Sequence, residues 1–464
     1  MLNYFNFKKW NNDKILITND FGKYDFLDID TFFRFINNKI NENDSIYNEL
    51  HERSFLLNDK DIYSEEILNT MRTSKDYLFT STSLHIFVVT NMCNMKCIYC
   101  QAQHQNTIKK GNMTEDTAYR AIDIALQSPS PYLTFEFQGG EPLINYPVIK
   151  KMIEYAEKNK LNKIIDYTLV SNLSLITDEM IEFFKEYKVN ICTSLDGDRY
   201  IHEHNRPMLS SNSSYDMMKK GLNTLKKFGV GLSAIETTTR KSFTHVDQIL
   251  EEYLKLGFRS IFIRPLTPLG FAYTEWNKIG YSAEEYVLFY KEMLEKILII
   301  NKNGIKFIEQ YAKIFLRRIL KGESGNYMEL RSPCGAVLGQ LAYYYDGDIY
   351  TCDEARMISE SGDKIFKLGN VYNNTYNDLL KNATCKSICA ASILESTPVC
   401  VDCVYNPYCG VCPVINYAIS DNIFTSDSKN YRCKIYKGIM DILFKKIEKN
   451  DIEEMKILYS WIED

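Results

Sequence analysis

The stretch "LHIFVVTNMCNMKCIYCQAQ" (residues 84–103) decides how this chain is read. Its first part, "LHIFVVTN" (84–91), is a β-branched and aromatic run with the length of a buried strand. It leads directly into three cysteines, Cys93, Cys97 and Cys100. A disulfide consumes two thiols, and a closed zinc site usually takes four ligands. Three thiols on one loop mean either a missing ligand or a coordination position left open.

A chain of 464 residues is too long for one ordinary core, so two or three domains are expected. Its 45% hydrophobic and 25% charged residues are those of a globular protein. With a net charge of −5 and no dense Lys/Arg cluster, no nucleic-acid partner is expected. The opening "MLNYFNFKKWNNDK" has no apolar signal core, and no run approaches the roughly 20 apolar residues that span a bilayer. The expectation is a cytoplasmic protein that contacts no membrane and keeps its thiols reduced. Thirteen cysteines then need a reason. Three fall at 93–100, nine fall between 334 and 433, and Cys192 stands alone in a strand-like run as a packing residue. Clustered cysteines in a reducing compartment point to metal or redox chemistry.

Working outward, residues 1–80 read as a separate small α+β module. "KILITNDFGKYDFLD" is a strand, a turn and a strand, and "IDTFFRFINNKI" and "DSIYNELHERSFL" carry helical spacing. Such a module serves either as a packing cap or as a peptide-recognition element of winged-helix type that adds a strand to its sheet edge. Residues 81–330 alternate strands with amphipathic helices. The strands are 84–91, 132–140, 166–172, 189–197, 231–240 and 260–266, followed by a mainly helical bridge. That alternation predicts an α/β fold, an open (β/α)6 TIM-like partial barrel with parallel strands. Residues 331–435 are cysteine-rich with little periodicity, and 436–464 form a helical tail.

Each predicted strand ends in polar or glycine residues, and in parallel α/β barrels those ends form the active-site mouth. The candidates there are Gly139, Gly140, Glu141 and Pro142 after the second strand, and Ser171 and Asn172 after the third. Ser194 and Asp196 follow the fourth, and Arg206 lies in "HEHNRP". The three cysteines share the mouth because they follow the first strand.

The spacing C-x3-C-x2-C after a first barrel strand resembles the radical SAM superfamily. The resemblance implies that Cys93, Cys97 and Cys100 hold three irons of a [4Fe–4S] cluster, whose fourth iron binds S-adenosyl-L-methionine. It places Tyr99 near the adenine and the "GGEP" segment (139–142) at the methionyl amino group, with Glu141 opposing the ammonium. Ser171, Asn172, Ser194 and Asp196 take ribose or carboxylate contacts, and Arg206 forks onto the ligand carboxylate. Reductive cleavage then yields a 5′-deoxyadenosyl radical.

The second group, Cys334, Cys352, Cys400, Cys403, Cys409, Cys412 and Cys433, resembles the SPASM domain, although "CGVC" leaves two residues between its cysteines where three are usual. Two auxiliary [4Fe–4S] clusters are implied. Cys400, Cys403, Cys409 and Cys433 would hold one, and Cys334, Cys352 and Cys412 the other. The fourth position of the latter is open or filled by Cys385 or Cys389. Stretches such as "QGGEPLIN", "CTSLDGD" and "YYYDGDIYTCDEARM" resemble the His-Xaa-Ser system radical SAM maturases, which implies a ribosomally made precursor peptide as substrate and flavodoxin or ferredoxin as reductant. The alternatives are formylglycine formation of the anaerobic sulfatase-maturase kind, and a non-catalytic zinc or iron–sulfur module.

Overall fold

The structure, a computed structural model, describes residues 1–58, 65–103, 110–323, 327–424 and 430–463. Strands β1 (Asn6–Lys9), β2 (Lys14–Thr18) and β3 (Tyr24–Asp28) form an antiparallel sheet. Gly22, at φ +73°, makes the turn into β3, where a side chain would be strained. The Asp28 carboxylate caps the next helix, Ile29–Ile36, by accepting from Thr31 N at 2.8 Å. Leu27, Phe32, Phe35, Leu50 and Phe55 close a small core of their own. The sheet is also tied to the cysteine-rich region. Thr18 Oγ1 donates to Val404 O (2.7 Å), Asn6 Nδ2 to Val401 O (3.0 Å), and Tyr408 Oη to Gly22 O (3.0 Å).

Seven parallel strands then lie side by side in chain order. They are β4 (Leu84–Thr90), β5 (Tyr132–Gly139), β6 (Ile164–Val170), β7 (Asn190–Ser194), β8 (Leu232–Thr237), β9 (Ser260–Arg264) and the short β10 (Ile308–Glu309). The predicted open (β/α)6 arrangement is therefore present, with one extra two-residue strand at its edge. Helices pack between successive strands, and the first is typical. Thr114 starts Glu115–Leu126 by accepting from Thr117 N (3.2 Å), and Ala118, Ala121, Ile122 and Ala125 face the sheet.

The sheet continues into the cysteine-rich region. β11 (Gln340–Tyr343) pairs in parallel with β4, Leu84 opposite Gln340, and β12 (Asp348–Tyr350) and β13 (Lys367–Asn370) follow antiparallel. One core joins Phe87, Phe135, Phe137, Tyr343, Tyr350 and Leu368, with Phe87 stacked on Tyr343 at 5.0 Å. Every residue of β11 and β12 is buried, so neither strand shows an apolar–polar alternation. The terminal helices Tyr431–Lys449 and Ile452–Ile462 belong to a second core, with Trp461 fully buried, and the first of them packs on helix Ala283–Lys302. No described helix is long and apolar enough to cross a membrane.

Glu309 lies fully buried where β10 ends. Its carboxylate accepts from Ala312 N (2.6 Å), Ile263 N (3.3 Å) and the Tyr290 hydroxyl, and burial pushes its pKa up to about 7. The folded chain thus binds a proton that the unfolded chain releases near pH 4.5. Stability from this group is present below that pH and is lost as pH rises toward 7, by about 3 kcal/mol in all. Urea unfolding of Glu309→Gln across pH 5–7.5 is expected to show a flatter pH dependence than the parent.

Candidate active site

The loop after β4 is held by its neighbours' backbones. Gly140 N donates to Thr90 O (2.9 Å), and Glu141 N to Met92 O (2.8 Å). A Cβ on Gly140 would lie 2.2 Å from Met92 O and 3.0 Å from Cys93 Cβ, and one on Gly139 would lie 2.5 Å from Thr90 O. The glycine pair therefore lets β5 press against the cysteine loop itself. Gly270, at φ +53°, does the same from the other side, since its Cβ would meet the carbonyl oxygens of Cys100 and Gln103 at 2.5 Å. Phe271 N donates to Cys100 O at 2.9 Å. Gly140→Ala is expected to push the loop off β5 and weaken the loop's hold on iron by at least the roughly 10- to 100-fold typical of an outer-shell change, read in chelator competition after anaerobic reconstitution as loss of one cluster's share of the iron with the C-terminal thiol groups still loaded.

The three thiols are free and half-buried on this one loop. Cys93 and Cys97 open on a cavity of about 1000 Å³ whose walls include Met95, Lys96, His204, Pro207 and Phe271. This is at the upper end of the roughly 300–1,000 Å³ of small-molecule sites. Burial pushes the Cys93 thiol up to about 12 and raises Cys97 and Cys100, and each of Cys93 and Cys97 is raised further by Cys100. Thiols held protonated by burial release protons when a metal binds. Three thiols on one loop that act on one another electrostatically beside a large cavity have the donor chemistry for a cluster with one open iron, although no described group of three such side chains is drawn together closely enough to hold a metal ion as it stands.

Around them, the strand ends are used in two ways. Glu141, 1% exposed, accepts from Ser171 Oγ (2.7 Å), Asn172 N (2.8 Å) and Leu143 N (3.1 Å). Burial pushes its pKa up to about 7 against the pull of these bonds. Its carboxylate braces the ends of β5 and β6. Asn172 Nδ2 reaches Asn94 Oδ1 at 3.0 Å, so the third strand end also holds the cysteine loop. Pro142 begins a short turn ending at Asn145, whose side chain donates to Val89 O (2.9 Å).

Asp196, fully buried beyond β7, accepts from Tyr99 Oη (2.6 Å), from Arg206 Nε and an Arg206 terminal nitrogen (3.1 Å each), and from Thr237 N (3.3 Å). Arg206 lies over the Tyr99 ring at 5.2 Å and acts electrostatically on the Cys97 thiol. The guanidinium fork thus closes on Asp196, because a buried cation requires a buried anion. Ser194 stands at the last position of β7.

The C-terminal cysteines separate into two groups. Cys400, Cys403, Cys409 and Cys433 line a cavity of about 50 Å³. Lys437 stands beside all four, its ammonium raised by them although burial pulls it down. Cys334, Cys352 and Cys412 are buried and act on one another electrostatically. Cys412 also borders the small cavity, but its thiol is raised, after burial, by Cys334.

Sequence reading did not single out Arg356, and its clue was an arginine one turn after Cys352. It is 1% exposed, pairs with Asp353, and donates to Gln138 Oε1 in β5 (3.3 Å). It also lowers the Cys100 thiol against burial. Helix Asp353–Ser359, capped by Cys352, thereby connects the two cysteine regions.

Residues 87–244 match the radical SAM superfamily. The chain carries a radical SAM domain. Over 378 residues it is 25% identical to a cysteine-type anaerobic sulfatase-maturating enzyme of Clostridium perfringens, covering 79% of this chain and 97% of that one. It is 24% identical over 473 residues to the radical SAM cyclopropyl synthase TigE of Paramaledivibacter caminithermalis, covering 95% and 89%. The solved structure of native anSMEcpe with bound AdoMet and Cp18Cys peptide shares this fold, with a TM-score of 0.68 and 23% identity over 79% of this chain and 98% of that chain.

Proposed function

We propose that this protein is a radical SAM peptide maturase that modifies a ribosomally made precursor peptide. The observation that carries the proposal is the joining of Cys93, Cys97 and Cys100, through β4–β11 and helix Asp353–Ser359, to two further thiol groups in one fold. When bound, the loop cluster with S-adenosyl-L-methionine supplies a 5′-deoxyadenosyl radical that abstracts hydrogen from the peptide. Cys93, Cys97 and Cys100 ligate it, and Arg206 balances thiolate charge beside Cys97. Gly139, Gly140, Glu141 and Asn172 fix the loop, while Tyr99 is set by Asp196. Cys400, Cys403, Cys409 and Cys433, and separately Cys334, Cys352 and Cys412, would hold two auxiliary clusters. An auxiliary cluster is an electron acceptor for an oxidative product step. The product would be a cross-link or another oxidised side chain, and flavodoxin or ferredoxin would supply the electron.

The related chains support a peptide or protein substrate by name, namely a sulfatase-maturating enzyme and a structure holding a peptide. The test incubates anaerobically reconstituted, reduced protein with S-adenosyl-L-methionine and the small peptide encoded beside its gene. 5′-Deoxyadenosine together with a peptide that has lost a pair of hydrogens supports cross-linking. A cysteine converted to an aldehyde with loss of sulfur would move the assignment to formylglycine formation. Failure to form 5′-deoxyadenosine with or without peptide would overturn the radical reading.

A further inference from the structure

The cysteine loop is fixed against the chain that follows helix Arg199–Asn205. Lys96 N donates to Pro207 O (2.8 Å), Ile98 N to Asn205 O (2.9 Å) and Leu209 N to Asn94 O (2.9 Å). Lys96, Ile98, Pro207 and Leu209 all border the cavity of about 1000 Å³ on which Cys93 and Cys97 open. Lys110, Phe271 and Lys278 stand on its rim as well. Among the described residues, Gly140, Asn172, Ser194, Asp196 and Arg264 are not part of its walls. The cavity therefore leads outward from the loop thiols rather than across the strand ends.

The rim is cationic although the chain as a whole carries −5. Lys96, Lys110 and Lys278 are exposed. Glu275 is the one acidic residue among the described walls, and Lys278 takes it at 2.6 Å. Lys96 and Lys110 form no ion pair among the described residues. The apolar part of the same wall is uncovered: Leu209 is 64% exposed, and Ile98 and Phe271 are half-buried. Apolar surface with a charged rim is the layout of a protein–protein interface. The sign of the rim selects an acidic partner.

We propose that this rim docks a small acidic electron-carrier protein, whose electron reaches the loop site through the cavity beside Cys93 and Cys97. The proposal rests on the reading of Cys93, Cys97 and Cys100 as ligands of a redox cluster. One electron leaves the carrier's reduced centre and arrives at the loop site. No bond is made or broken in that step, and no proton crosses the interface. Electron transfer slows steeply with distance, and this cavity is where Cys93 and Cys97 open. A chain of net −5 otherwise repels an acidic carrier. Unpaired lysines at the opening reverse that locally, and such steering raises encounter rates by roughly 10- to 1000-fold. The strand-end side is left to the peptide, so donor and substrate use different faces of the loop.

The experiment gives the full-length, anaerobically reconstituted protein two donors. One is a reduced bacterial flavodoxin, and the other is reduced methyl viologen, a small cation that needs no docking face. The parent and Lys110→Glu/Lys278→Glu are compared by the 5′-deoxyadenosine they form. Without turnover, they are compared by carbodiimide cross-linking of flavodoxin carboxylates to lysines. The parent's flavodoxin-driven rate is expected to fall as salt rises. The double variant is expected to lose at least about 10-fold of that rate at low salt, to depend less on salt, and to keep its viologen-driven rate. Lys110→Gln/Lys278→Gln, with half the charge change, is expected to lose less. Cross-links are expected at Lys96, Lys110 and Lys278. Parental flavodoxin kinetics in the Glu variant, an equal loss with both donors, or cross-links confined to other lysines would overturn the proposal. A raised peptide KM with viologen would overturn it too and give the rim to the precursor peptide. If the parent forms no 5′-deoxyadenosine with viologen, the radical reading falls and takes the proposal with it. If it does and the flavodoxin results fail, only the docking face is lost.

Discussion

Cys97→Ala is expected to bring 5′-deoxyadenosine formation down to the uncatalysed background while the C-terminal thiol groups keep most of their iron. The loss should exceed the roughly 100-fold that removing an outer-shell partner costs, because a cluster ligand itself is gone. Cys97 lines the large cavity, is acted on by both other loop thiols, and has the Arg206 charge opposing the rise that burial gives its thiol. The other two thiol groups stand in different elements with their own neighbours, so their loading is independent of the change. Chromatography of the nucleoside product and iron assay on the same sample check both halves. Cleavage surviving in the variant would remove the loop from the active site.

The second large effect is expected from Asp196→Asn. The substitution keeps the shape and removes the anion that faces the guanidinium of a residue only 8% exposed. Breaking a buried pair on one side costs about 3–5 kcal/mol, because the remaining charge is left uncompensated. Denaturant unfolding of the metal-free chain is expected to show a loss of that size. Asp196→Glu, which restores the charge, is expected to recover part of it. Tyr99 would lose its 2.6 Å acceptor at the same time, so nucleoside formation by the folded fraction is expected to fall as well. A variant with parental stability would show that Arg206 is balanced by another group.

The barrel was readable because "LHIFVVTN" is a near-continuous apolar run and "YLTFEFQGG" an alternating one, and both lie within a residue of β4 and β5. The cysteine spacing made the loop legible for the same local reason. The cysteine-rich region was not legible as sheet. β11 and β12 are three or four residues long and buried on every side, so their periodicity is hidden. Side-chain partnerships across the fold were also invisible. Arg206 was expected to face a ligand, yet its partner Asp196 lies ten residues earlier in the chain, at a neighbouring strand end. Glu141 likewise meets Ser171 rather than open space. Arg356 gave only a faint spacing signal, one turn after Cys352, because what matters in it is the direction in which one short helix points.

The pairing of β4 with β11 has a consequence for synthesis on the ribosome. The two strands are separated by more than half the chain. Until residue 340 has emerged, β4 has β5 on one side and a bare apolar edge on the other, with the loop thiols beside it. Such an edge is a template for pairing with another chain. Overproduction that outpaces completion of the chain is therefore expected to yield insoluble barrel fragments, and truncation before β11 should do the same however well the first six strands are formed.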